Sequence, residues 1–472
     1  MTHTTDVTAV GGELRDFRGE VIRPGNTDYE GARRVWNASI DRRPALVLRP
    51  RDTDDVVRAV EFARVGGLPV AVRCGGHSVA GNGTCDDGLL VDLSLMKGVT
   101  VDADRRTARA AAGVLWGELD AATQAHGLAT PGGRVTTTGV GGFTLGGGYG
   151  WLSPKYGLAC DNLTAADVVT AGGEVLRVDE DQHNDLLWGL RGGGGNFGIV
   201  TSYEFRLHPV GPTVVGGMLM HPLEQAEAVL RGYREYVEAA PDELATAFAF
   251  FPAPPEPFVP ERLQGRTVLG IIACYCGDID EGLEVVSPLK ALDTPAVDLL
   301  GPLPYVALQS LLDPTAPRGW CWYNTGEHLT GLSDGAVQAL VRHAPLGLAP
   351  MTQAIVFRHG GAVSRVPDAD TAFGNRDSAY LLHPLAAWLD PSDEARHIRW
   401  LRDLVADMEP FKTGGVYLNF SPPGADRVVD GFGSAKYDRL LALKQAYDPE
   451  NLFRFNHNIG PAAAAHQARA VR

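Results

Sequence analysis

Apolar residues over the first two hundred positions fall into short runs, divided by helically spaced stretches and by glycine-rich ones. ALVLRP, residues 45–50, is an apolar run of strand length. DTDDVVRAVEFARVGG follows, with Val56, Val60 and Ala63 on one helical face. Asp52 or Thr53 can cap that helix, and Gly66-Gly67 end it. LPVAVR returns to a strand pattern, so a β-α-β unit is predicted that runs into RCGGHSVAGN, residues 73–82. LLVDLS (89–94) reads as a further strand. VLWGELDAATQAHG reads as a helix with Leu115, Leu119 and Ala122 on one side and Gly127 as its stop.

The stretch PGGRVTTTGVGGFTLGGGYGWLSPKYG, residues 131–157, is too glycine-rich for a packed helix and too apolar for a solvated linker. Loop backbone wrapped around a ligand is the expectation. AADVVTAGGEVLRVD predicts two strands across a Gly-Gly turn. LWGLRGGGGNFGIVTSYEFRL passes from a helix end through a second glycine cluster into a strand. Beyond Val210 glycine thins and prolines gather, as in PAPPEPFVP (252–260), and helical and strand-like patches alternate. Three segments are expected. Residues 1–209 form the first part of a ligand-binding domain, 210–410 an inserted α+β domain that shapes a pocket, and 411–472 a return to the first domain. The Ala-rich tail 461–472 is expected to fray.

Length supports two domains, since 472 residues exceed one compact core. A net charge of −15 argues against a nucleic-acid or anionic-membrane partner. The expected partners are therefore small molecules, with the chain a monomer or small homo-oligomer. No run approaches the ~18 apolar residues of a membrane span, and the N-terminus lacks a basic-then-apolar leader. A cytoplasmic location follows as an expectation, with secretion by another route left open. The sequons at Asn37, Asn82 and Asn162 carry little weight without such a leader. Six cysteines do not make a disulfide framework in a chain this long. Cys274 and Cys276 lack the second pair a zinc site needs, so they read as buried thiols and no metal is expected.

Gly76-His77-Ser78-Val79-Ala80 nearly matches a nucleophile elbow. That motif needs a helix straight after the serine, and Val-Ala-Gly-Asn-Gly-Thr is poor helix material. A dinucleotide fingerprint is equally poor, because GGGYGW and GGGGNFG open no amphipathic helix. What remains is a large anionic ligand cradled by loop amides, with a histidine aimed at it.

YGLACDNLT (156–164) and DPENLFRFNHNI (448–459) sharpen this. Together with RCGGHSVAG, the 131–157 stretch and GGGGNFGIVT, they resemble the berberine bridge enzyme-like family of FAD-linked oxidases. That family belongs to the vanillyl-alcohol oxidase superfamily with its PCMH-type FAD-binding fold. The resemblance is strong over 45–207, clear over 411–459 and loose between. It implies an α+β, two-domain fold whose inserted substrate domain is an antiparallel sheet covered by helices. It also implies covalent FAD, bonded at the 8α-methyl to His77 and at C6 to Cys160. Backbone around Cys74, Gly75, Gly76 and Ser78 would cradle the pyrophosphate, with Arg73 and Val79 also among the cofactor-binding residues. Gly141, Gly142, Gly146, Gly147 and Gly148 would let the chain approach the dinucleotide, and Gly133, Thr138, Gly139, Tyr149, Gly150 and Leu158 are further cofactor-binding candidates. Ile199 and Val200 fall on the adenine side, Asn419, Asn456 and Asn458 by the ring or its loops, and Gly195, Gly198 and Tyr417 are further cofactor-binding candidates.

The family's C-terminal motif often reads Y-x-N-Y, with the last aromatic as base. Here it reads Tyr417-Leu418-Asn419-Phe420, so the role moves or is absent. Tyr417, Tyr380 and His383 are the candidates, and the position of an alternative glutamate base holds Leu382. Trp320, Trp322, Tyr323, Phe357 and Tyr380 are candidates for contact with substrate. The reaction implied is hydride transfer from a C–OH (or C–N) carbon of a sugar or natural product to flavin N5, with O2 reoxidation giving H2O2. A dehydrogenase or oxidative cyclase, and a non-catalytic flavin- or ligand-binding protein, stand as alternatives; a serine hydrolase is the weakest.

Overall fold

Four short strands open the chain, and the computed structural model describes residues 14, 16–344, 348–422 and 427–460. The tail expected to fray, 461–472, lies outside the described residues. Glu20–Ile22, Leu46–Arg49, Leu89–Asp92 and Val70–Arg73 lie in that order, the last three mutually parallel. The predicted β-α-β unit is present. Its helix spans Thr53–Gly66, Asp52 accepts from the Asp55 N–H, and Gly67 closes it at φ 61°. Val56, Ala59, Val60 and Ala63 are buried against the sheet.

A second antiparallel sheet runs Val99–Asp102, Thr107–Ala111, Ile199–Arg206, Leu163–Val169, Val175–Val178. Its last pair is the predicted hairpin, with Gly173 at φ 86° in the turn. The helix Trp116–Gln124 buries Trp116, Leu119, Asp120 and Thr123, a face rotated from the Leu115, Leu119 and Ala122 expected. Trp116 causes the rotation, since its ring packs edge-on against Phe143 at 5.2 Å and near Phe205. The 131–157 stretch also departs from expectation, because Val140–Leu145 and Ser153–Tyr156 are short helices. Glycine makes the first possible: a Cβ on Gly141 would stand 2.5 Å from the Tyr203 hydroxyl.

The inserted domain is a ten-stranded antiparallel sheet. Helices Ala226–Glu238, Asp334–Arg342 and Glu394–Asp407 contribute buried side chains to the packing on one face. The other face packs on Tyr149, Trp151, Leu158 and Tyr417 of the first domain. Strand Lys412–Val416 still belongs to this sheet, so the chain returns to the first domain just after it. The N-terminal arm fastens the two halves together. Asn37 donates to the carbonyls of Val79 and Trp322 and accepts from the Trp322 N–H. Ala38 N–H reaches Trp320, and Trp36 Nε1 reaches Ala316.

Candidate active site

A cavity of about 360 Å³ runs between the first domain and the bare face of the sheet. Two loops meet backbone to backbone on one side of it. A Cβ on Gly75 would lie 2.3 Å from the Gly139 nitrogen, and one on Gly139 would lie 2.4 Å from the Gly75 nitrogen and 2.5 Å from Cys74 Sγ. Any side chain would part the loops. Gly142 and Gly195 line the wall too, and a Cβ on either meets no protein atom within 4 Å. Their Cα positions therefore border open space in the cavity.

His77 stands at the junction of these loops. Nε2 lies 2.8 Å from Thr137 Oγ1, the ring stacks on Trp36 at 5.2 Å, and Trp36 stacks on Trp322 at 4.4 Å. Burial, helped by Arg318, pushes its pKa down to about 3, so the imidazole is neutral. Nδ1 makes no hydrogen bond among the described residues. Arg73 is tied to Asp92 at 2.7 Å and to the Ala32 and Arg34 carbonyls, which fixes the loop from behind.

Most of the expected cradle lines this cavity: Arg73 to Ser78; Gly133, Thr138, Gly139 and Gly142; Gly146 and Tyr149; Gly195, Gly198, Ile199 and Val200; Asn419 and Asn456. Asn456 donates to Gly195 and Phe453, while its Oδ1 is buried with no partner among the described residues, as is that of Asn458. Glycine-bounded space, backbone amides and a neutral histidine at its edge together fit FAD. Val79, Gly147, Gly148, Gly150, Leu158 and Asn458 do not reach the wall and support it instead. A Cβ on Gly150, for example, would strike the Gly132 carbonyl at 2.1 Å.

Cys160 requires a correction. Its side chain is fully buried in the core behind the wall, its N–H bonds Gly147, and Sγ turns to Asp161 at 3.6 Å. Burial pushes the thiol well above its usual pKa, so no thiolate is presented. Asp161, gripped by Arg376 at 2.5 and 3.0 Å, holds that turn inward. Val135, which packs against the same core cluster, does line the wall.

Tyr417 is likewise withdrawn. Its hydroxyl accepts from Gly148 N–H and Asn419 Nδ2, both at 3.0 Å, and burial lifts its pKa to about 12. Tyr380 is corrected by the alternation of strand Tyr380–Trp388. Tyr380 and Leu382 point into the helix-covered core, whereas Leu381 and Leu385 pack on the first domain and His383 lines the cavity. Among the substrate candidates Phe357 lines the cavity. Trp322 lies one layer back beneath Trp36. Tyr323 points the other way, toward Arg402.

His383 is the titratable candidate that faces the space. Its ring lies flat on Phe420, centroids 3.5 Å apart and planes 3° apart, and Nε2 is 2.9 Å from Asn324 Nδ2. Burial and then Arg134 hold its pKa well below the usual histidine value, so it is neutral. Arg134, Asn324, Gln353 and Phe420 complete this end of the wall. The sequence reading assigned none of them to it. Arg134 carried a legible signal, as a cation next to glycines at the start of an apolar glycine loop.

Such a cavity, glycine-cradled on one side and walled by a sheet on the other, defines an FAD-linked oxidoreductase. The FAD binding domain family matches residues 44–179, and the berberine and berberine-like family matches 416–460. An FAD-linked oxidoreductase of Dictyostelium discoideum is 32% identical over 452 residues, covering 94% of this chain and 95% of the relative. (R)-6-hydroxynicotine oxidase of Paenarthrobacter nicotinovorans is 29% identical over 470 residues, covering 94% and 97%. The crystal structure of 6-hydroxy-D-nicotine oxidase from Arthrobacter nicotinovorans superposes with a TM-score of 0.84 at 26% identity, over 96% and 99% of the two chains. The chain belongs to the berberine bridge enzyme-like family of FAD-linked oxidoreductases.

Proposed function

We propose that the protein is an oxidase that carries FAD on one bond, from His77, and oxidises a small natural product at a carbon bearing a hydroxyl or amine. O2 is the final acceptor and is released as H2O2. The observation that supports this most is that the cavity carries one neutral imidazole among glycine backbone, His77, and another among aromatic rings, His383, while a third, His457, is neutral and lines it as well. In the tautomer that donates Nε2–H to Thr137 Oγ1, Nδ1 of His77 keeps a free lone pair, the form of imidazole able to bond to carbon. Bound in the cradle, FAD supplies the two-electron acceptor that no side chain here can be.

His383 takes the place left by the missing tyrosine, stacked on the phenylalanine that occupies it. The base atom is Nδ1, with the ring hydrogen on Nε2 directed at the Asn324 amide. A half-turn of that amide brings its Oδ1, otherwise buried without a partner, to this hydrogen. Ile355, Phe357, Leu385 and Phe420 surround the imidazole, and Asn324 and Gln353 are the amides beside it. That wall favours a flat aromatic or heteroaromatic body over a sugar, whose hydroxyls would lose water without replacement.

Acid precipitation and intact-mass analysis test the attachment. Wild type and Cys160→Ala keep colour and added mass on the polypeptide, and His77→Ala loses both. Loss from Cys160→Ala, or retention by His77→Ala, overturns the single tether. An anaerobic screen of aromatic alcohols and amines tests the oxidase: the flavin bleaches, and air restores it with peroxide. A tight-binding ligand set that never bleaches it refutes the activity.

A further inference from the structure

Among the described residues, Arg134 is a buried guanidinium with no acid in ion-pair reach. Arg134 is 9% exposed, and it lines the cavity. Its charge centre lies 4.1 Å from the ring centroid of Phe357, 4.3 Å from that of Trp151 and 4.8 Å from that of Tyr149. Nη1 donates to the Tyr149 carbonyl at 3.1 Å, and Nε is buried with no partner among the described residues. The groups that bear most on its charge are Tyr149, Tyr417, Cys274 and Tyr305, none of them a carboxylate. Burial pulls its pKa down to about 10, which leaves it charged at neutral pH. A lone buried cation is costly, and aromatic faces repay only part of that cost. The natural completion is a counter-charge brought by a ligand.

Position says which ligand. Phe357 carries Arg134 on its ring and lies 6.4 Å from His383, so the cation sits on the sheet side of the cavity, beside the base. We infer that Arg134 anchors a carboxylate on the substrate, so that the molecule oxidised is a small aromatic or heteroaromatic acid. This rests on the substrate side of the function proposed above. The planar fork of the guanidinium matches a carboxylate, and the rings around it match an aryl body. Seating the carboxylate also cancels the repulsion that Arg134 exerts on His383, so the imidazole becomes a stronger base when substrate is in place.

Benzoate and benzamide have one shape and differ in charge, so they make the test. Each is titrated into the flavin-loaded protein, with binding read by calorimetry and by the visible difference spectrum. Benzoate is expected to bind wild type on the order of tenfold more tightly or better, as a desolvated charge-assisted contact implies. Arg134→Gln brings the two within about twofold, and Arg134→Lys keeps part of the preference. Equal binding to wild type overturns the inference and needs no variant to fold. Equal binding together with a reduction potential shifted by Arg134→Gln would assign the cation to the flavin instead, also overturning it. Failure of the oxidase reading looks different: a benzoate preference without turnover of any acid leaves the anchor standing and removes the oxidase.

Discussion

Lowering the pH from 7.5 to 5.5 acts on two imidazoles buried within the inserted domain. His328 Nδ1 lies 2.7 Å from Ser378 Oγ, and the same oxygen is 3.0 Å from His359 Nδ1. Both side chains are almost wholly buried. Burial takes His328 down to about 3 and His359 well below its usual value, and His328 adds to the push on His359. Neither binds a proton in the folded chain at pH 5.5. Unfolded, each titrates near 6.5, so below that value the unfolded chain binds more protons and folding weakens as pH falls. From pH 7.5 to 5.5 the loss is about 1.4 kcal/mol per imidazole and about 2.7 kcal/mol for the pair. Urea unfolding across this range, for wild type and for His328→Gln/His359→Gln, isolates the effect, since carboxylates common to both cancel. Whatever its stability at pH 7.5, the double variant loses about 2.7 kcal/mol less on acidification. An equal loss in both proteins refutes the reasoning.

Two further outcomes follow from the wall. Gly139→Ala places a methyl 2.4 Å from the Gly75 nitrogen, which parts the two loops and costs about 1–3 kcal/mol, with lowered flavin occupancy by absorbance as the readout. His383→Ala slows anaerobic flavin reduction by roughly 10²–10⁴ while leaving ligand dissociation constants within a few-fold, whereas Tyr417→Phe and Tyr380→Phe leave the reduction step within a few-fold of wild type. A full rate from His383→Ala moves the base elsewhere.

Period and punctuation carried much of the fold. The helix Thr53–Gly66 announced both its ends, because its caps are local chemistry. The hairpin around Gly173 did the same. Trp116 turned its helix through contacts with Phe143 and Phe205, residues distant in sequence and therefore invisible to spacing. Glycine clustering marked the cradle, since close backbone approach excludes side chains whatever the partner. Alternation alone separates Tyr380 from His383, three positions apart on one strand and so on opposite faces. That signal was present and unused. Cys160 was beyond reach, because its direction is set by the Asp161–Arg376 pair across 215 positions.

The clasp made by Trp36, Asn37 and Ala38 has a mechanical consequence. Its bonds span both lobes at once, reaching Val79 on one side and Ala316, Trp320 and Trp322 on the other. Swinging the lobes apart would have to break all of them together, along with the indole pile above His77. Access past local side-chain shifts would leave all of these bonds in place, which a swing of the lobes would not.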